Sequence, residues 1–180
     1  EFLILLAAHE SAEAKALASL YDQGEAKVTP GVNMRHVKLF MDGIINAPAD
    51  TGAMLTPYLH NAGTEKAPKW TPGKNRGELY FPPQVLDPLL LKAVQAGFDP
   101  HLHATGDRAV RDSLNAIEYV RKQLPGNAFR PTITHAESVD PADYGRFKAL
   151  DVTANMSFQW AQQAPSTVDG TSDHLGVERF

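Results

Sequence analysis

The sequence predicts a parallel α/β architecture. Short apolar runs alternate with amphipathic helical stretches, glycine and proline punctuate the alternation, and no repeat or low-complexity tract interrupts it. The opening run from Glu1 to Ala8 is almost wholly apolar and is expected to be a buried strand. It lacks a basic flank and is far shorter than the ~20 residues needed to cross a bilayer. Ser11 to Asp22 sets Leu17, Leu20 and Tyr21 among Ala, Glu and Lys, which predicts a short helix with Ser11 as its N-cap. Val37 to Met41 reads as a second buried strand, closed by Asp42-Gly43 as a turn.

Residues 44–83 carry Pro48, Pro57, Pro68, Pro72, Pro82 and Pro83 and are expected to form one long loop. Such loops in compact domains are functional or mobile, and this one brings Tyr58, His60 and Trp70 as candidate pocket-lining side chains. Gln84 to Ala96 is helical by the spacing of Val85, Leu86, Leu89, Leu90, Ala93 and Val94, with Gly97 as its stop. A strand follows from Phe98 to Ala104. The next helix runs from Asp107, expected as its N-cap, to about Leu124, and Pro125-Gly126 ends it. Thr132 to His135 is a short strand, Asp140-Pro141 starts another helix, and Val152 to Phe158 is a further strand.

Composition narrows the chemistry. At 43% hydrophobic and 21% charged, the 180 residues suit one folded domain. The formal charge of −4, with basic residues scattered among acidic ones, gives no footprint for nucleic acid or an anionic membrane. A small-molecule partner and a cytoplasmic location are expected. The absence of cysteine removes disulfides, thiolate ligands and thiol nucleophiles, so a metal would have to be held by His, carboxylate or modified Lys.

Lys38, His103 and His135 each lie near the C-terminal end of a predicted strand. In a β/α barrel those ends converge on the active site. Neutral imidazole is a preferred ligand of zinc and similar ions, and a lysine ligates only when deprotonated or converted to a carbamate. Each residue has a plainer alternative: a lone His at a strand end is more often hydrogen-bonded structure, and Lys38 could face outward. His101, two residues before His103, shares its face and is a candidate for lining the substrate pocket with Tyr58 and Trp70.

The blocks Val37-Lys38-Leu39-Phe40-Met41-Asp42-Gly43, His101 to Val110, Thr134-His135-Ala136-Glu137 and Asp140-Pro141-Ala142-Asp143 occur in an order that resembles amidohydrolase family 3. That group includes N-substituted formamide deformylases and relatives of D-aminoacylase. The most specific piece is His103-Ala104-Thr105-Gly106-Asp107-Arg108-Ala109, and Leu175-Gly176-Val177-Glu178-Arg179 resembles the segment leading to a further strand. The resemblance implies a partial TIM-like barrel, strands four to seven with their helices, in which residues 44–83 form an active-site loop insertion. It also implies that Lys38, often carbamylated in such proteins, and His103 and His135 are metal ligands, for one or two divalent ions, zinc foremost.

Asp107 and Arg108 match positions beside the site, with Asp107 expected to act as the cap. The family's first-strand His-x-His pair and eighth-strand aspartate, the general base, have no counterpart here, and Asp173 sits too early to replace the latter. A whole barrel needs about 250 residues, so about half of one is expected. The implied reaction is hydrolysis of an amide or formamide C–N bond by metal-activated water. An ester or phosphoester substrate, or a catalytically incompetent association module, are the alternatives. Open sheet edges and an apolar inner face are expected to drive pairing with a second copy or with the rest of the barrel.

Overall fold

The computed structural model describes residues 3–6, 35–157 and 162–179. The helix expected from Ser11 to Asp22 lies outside them. Strands β1 (Leu3–Leu6), β2 (His36–Phe40), β5 (Asp99–Ala104), β6 (Thr132–His135) and β7 (Thr153–Asn155) form one sheet in that spatial order. Every pairing is parallel. Strand order that follows chain order, with helices between β2 and β5, β5 and β6, and β6 and β7, is the arc of a β/α barrel. The short hairpin of β3 (Leu59–Asn61) and β4 (Trp70–Pro72) is antiparallel and lies within the predicted loop.

Two helices cover one face of the arc. Helix α1 (Pro83–Gln95) buries Leu86, Leu90 and Val94, a single stripe at four-residue spacing. It stops where Gly97, at φ 90°, turns the chain into a left-handed conformation open to glycine. Helix α2 (Asp107–Gln123) buries Val110, Leu114, Ile117 and Val120. These side chains share a core with Leu39, Leu102, Ala104 and Ile133 from the strands. Each buried leucine or isoleucine contributes roughly 2 kcal/mol of transfer free energy. A short helix α3 (Tyr144–Ala149) follows a one-turn start at Asp140, whose carboxylate accepts from Ala142 N at 2.8 Å, as the Asp-Pro pair predicts.

Two expectations need correction. The N-cap of α2 is Gly106, not Asp107, and no side chain caps it. Asp107 instead stands in the first turn and accepts a 2.7 Å hydrogen bond from Leu55 N in the long loop. The inner face of the arc is mixed rather than wholly apolar, with Phe40 set among polar side chains. Because the side chains of Leu39, Leu102 and Ile133 go into the helix layer, alternation sends Lys38, His101, His103, Thr132 and Thr134 to the other side.

The 44–83 segment folds back on the strand ends. Ile45, Met54 and Tyr58 form a second small core with Leu175. Arg179 fastens it by donating to the carbonyls of Thr56, Pro57 and Leu175.

Candidate metal centre

Parallel register sets the first part of the site. Lys38 pairs with His101, and Phe40 with His103, so these four side chains share the inner face. His103 pairs with Thr134, whereas His135 pairs with Ala104, whose side chain belongs to the helix-side core. Alternation alone would therefore point His135 outward. Two consecutive residues with positive φ, His135 at 75° and Ala136 at 46°, end the strand in a conformation that non-glycine residues seldom adopt. His135 ends up with its ring 4.7 Å from that of His103, edge to face.

Nδ1 of His103 and Nδ1 of His135 are both buried and have no hydrogen-bond partner among the described residues. The other ring nitrogen of His103 is engaged: Nε2 lies 2.8 Å from the carbonyl oxygen of Gly43. A carbonyl only accepts, so Nε2 carries the proton and Nδ1 keeps a lone pair. Burial in this pocket lowers His103 and His101 to about 4 each, with the Lys38 charge acting in the same direction. His135 is also lowered, by burial first and then by Lys38. The histidines are thus held neutral, the form that ligates metals.

Lys38 is 8% exposed. Its Nζ stands 5.4 Å from the centre of the Phe40 ring, which in turn packs at 4.8 Å on His103. Burial lowers its amine from 10.5 to about 8. Two orphaned imidazole nitrogens beside a weakened lysine base fit a cation site. No group of three His, Cys, Asp or Glu is placed to hold a metal among the described residues, and Lys38 is the third donor expected from the sequence.

Asp42, which the sequence suggests only as half of a turn, is 1% exposed and anchors this region. Its Oδ2 accepts from Ala53 N at 2.8 Å and Gly106 N at 2.9 Å, and its Oδ1 from Thr105 N at 3.0 Å. The Thr105 hydroxyl sits between Asp42 Oδ2 and Gly43 O, at 3.2 and 3.0 Å. Burial raises Asp42 to about 6 against the pull of these donors. Glu137, two residues past His135, is raised to about 7 by burial and then by the Asp42 charge. An acidic residue just past the strand that carries Lys38 was the available signal for Asp42, but its turn propensity masks it.

Tyr58 and Trp70 come together elsewhere. They line a groove of about 600 Å³ with Asp50, His60, Lys74 and His174, and none of Lys38, His103 and His135 borders it. The Trp70 and His174 rings are 5.0 Å apart, and His174 Nδ1 is 2.9 Å from Asp50 Oδ2. Tyr58 is 2% exposed and donates its hydroxyl proton to Gly52 O at 2.7 Å. His101, by contrast, stays on the inner face beside Lys38, with its ring 6.4 Å from that of His36.

The profile of the amidohydrolase family matches residues 4–175. The exoenzymes regulatory protein AepA of Pectobacterium carotovorum subsp. carotovorum is 30% identical over 139 residues, which are 77% of this chain and 25% of that protein. Two crystal structures share the fold. An uncharacterized metal-dependent hydrolase from Pyrococcus furiosus has a TM-score of 0.63 at 24% identity, over 89% of this chain and 30% of that one. Another from Pyrococcus horikoshii OT3 has a TM-score of 0.59 at 22% identity, over 97% and 36%.

Proposed function

This chain belongs to the amidohydrolase family, and we propose that it supplies the central part of a metal-dependent hydrolase centre in which His103, His135 and Lys38 hold a divalent cation, zinc foremost. The substrate class proposed is a small amide or formamide, cleaved at its C–N bond. The observation that carries this reading is the pair of buried, unpartnered Nδ1 atoms on two rings 4.7 Å apart. A structural role for the two histidines would require partners for those nitrogens.

A divalent cation held by His103, His135 and Lys38 would supply a water of lowered pKa and polarise the carbonyl under attack. The chain's own residues make the place for it. His103 offers Nδ1 because its Nε2–H donates to the Gly43 carbonyl. The two positive-φ residues hold the His135 ring against it. Lys38, with its amine lowered to about 8, holds its nitrogen partly neutral near physiological pH. Attack of that nitrogen on carbon dioxide, with loss of one proton to water, gives a carbamate, which converts a repelling cation into an anionic donor. His101, on the same face, is placed to line the substrate side.

Among the described residues no helix is long and apolar enough to cross a membrane. The small-molecule substrate and the cytoplasm remain part of the proposal, as does association with the rest of the barrel or a second copy. Calorimetric titration of this chain with Zn²⁺ tests the site. One ion per chain, with binding lost in His103→Ala and in His135→Ala, supports it. Undiminished Zn²⁺ binding in both variants would sink the assignment.

A further inference from the structure

The geometry points to Asp42 as the positioning residue of this centre: its carboxylate fixes the Gly43 carbonyl against His103 Nε2, so that the ring offers Nδ1 and only Nδ1 toward His135. The inference rests on the metal-centre reading for its purpose, but not for its geometry.

An imidazole with both nitrogens free populates two tautomers, and ligand geometry is then set by whatever its second nitrogen meets. Here the second nitrogen meets a backbone carbonyl 2.8 Å away, with Asp42 Oδ1 beyond hydrogen-bond range at 3.7 Å on the same side. That carbonyl belongs to the residue after Asp42, so whatever holds Asp42 holds the acceptor. Three backbone N–H groups converge on the Asp42 carboxylate. Thr105 and Gly106 belong to the segment that directly follows β5, the strand carrying His103, and Ala53 belongs to the long loop. The turn is thereby fastened to the end of the His103 strand by bonds that bypass the ring. Met41 N adds a ladder bond to His103 O at 2.9 Å.

Residue choice follows from this. All three backbone partners are donors, so both carboxylate oxygens must accept, and an asparagine would set its NH₂ against at least one N–H. Gly43 has no room for a side chain, since a Cβ would come within 2.1 Å of Thr51 Oγ1. The Asp-Gly pair is therefore an acceptor-only carboxylate followed by the residue that lets a carbonyl approach the ring, rather than a surface turn.

The test is long-range proton–nitrogen NMR on metal-free protein labelled at histidine, for the wild type, Asp42→Asn and Thr105→Val. The wild type is expected to show His103 as a single Nε2–H tautomer. Asp42→Asn is expected to mix the tautomers and, in protein that still melts cooperatively, to weaken Zn²⁺ binding about 10- to 100-fold. Thr105→Val keeps all three amide bonds to Asp42 and is expected to keep the wild-type tautomer.

A purely structural Asp42 would lower the melting temperature and leave tautomer and Zn²⁺ affinity of the folded protein alone, which overturns the inference. So does an Nδ1–H tautomer in the wild type, a result that needs no variant to fold. Scrambling by Thr105→Val would also overturn it, because the hydroxyl would then be the positioning group. If the wild type binds no Zn²⁺ while Asp42→Asn still scrambles the tautomer, the positioning role is upheld and the metal reading falls.

Discussion

Replacing Lys38 with methionine is expected to stabilise the metal-free protein at neutral pH while abolishing metal binding. The lysine is 8% exposed, and burial alone accounts for the fall of its amine from 10.5 to about 8. A tenfold change in proton affinity is about 1.4 kcal/mol, so holding the ammonium here costs at most about 3.5 kcal/mol. A four-carbon stem lets the ammonium reach water, and about 1–2 kcal/mol is the better expectation. Because the folded-state amine is the less basic one, the cost is complete below about pH 8 and fades to nothing by about 10.5. Lys38→Met should therefore exceed the wild type in urea denaturation at pH 7 in carbon dioxide-free buffer with chelator, and the gap should close by pH 10.5. A variant less stable than the wild type at pH 7, or a gap that does not change with pH, refutes the reasoning.

Three further outcomes are expected. Asp107→Ala should cost about 1–3 kcal/mol through the unpaired Leu55 N–H rather than through loss of a helix cap, and amide exchange at Leu55 should accelerate more than at the first turn of α2. Tyr58→Phe leaves Gly52 O without its 2.7 Å donor in a buried setting and should lower stability by about 1 kcal/mol, read by thermal melting. Asp151 has φ 52° just past α3, with its side chain in water. Asp151→Gly should thus raise the melting temperature, by up to about 1 kcal/mol of stability.

Apolar periodicity made most of the arc legible. The run around Val37 to Met41, the Leu-rich pattern of α1 and the Val110-Leu114-Ile117-Val120 stripe of α2 all form where the sequence places them, because local spacing and the helix-side core agree. Strand ends were less legible. Val152 to Phe158 yields a described strand of only Thr153–Asn155. The inward turn of His135 depends on two backbone angles for which neither His nor Ala carries a sequence signal. Register likewise decides the polarity of the inner face, and it cannot be read from a single strand. Asp42 was hidden because three of its partners are backbone N–H groups, which nearly every residue has. Tyr58 and Trp70 were expected to line a pocket, and the hairpin at Leu59–Asn61 and Trp70–Pro72 gathers them into a groove that Lys38, His103 and His135 do not border.

The fastening of the 44–83 segment also orders events in time. Its small core needs Leu175, and its outer bonds join Asn46 to Thr171, Asp50 to His174 and Thr56 to Arg179, each across more than 120 residues of chain. The strands and α1–α2 can associate through much shorter separations, whereas these closures carry the largest loop entropy of the described residues. On a ribosome the arc would already be in place while the groove beside it still lacked one wall. The residues that bound the groove are therefore expected to join the folding molecule late, and the lower-stability end of its hydrogen-exchange spectrum should be found there.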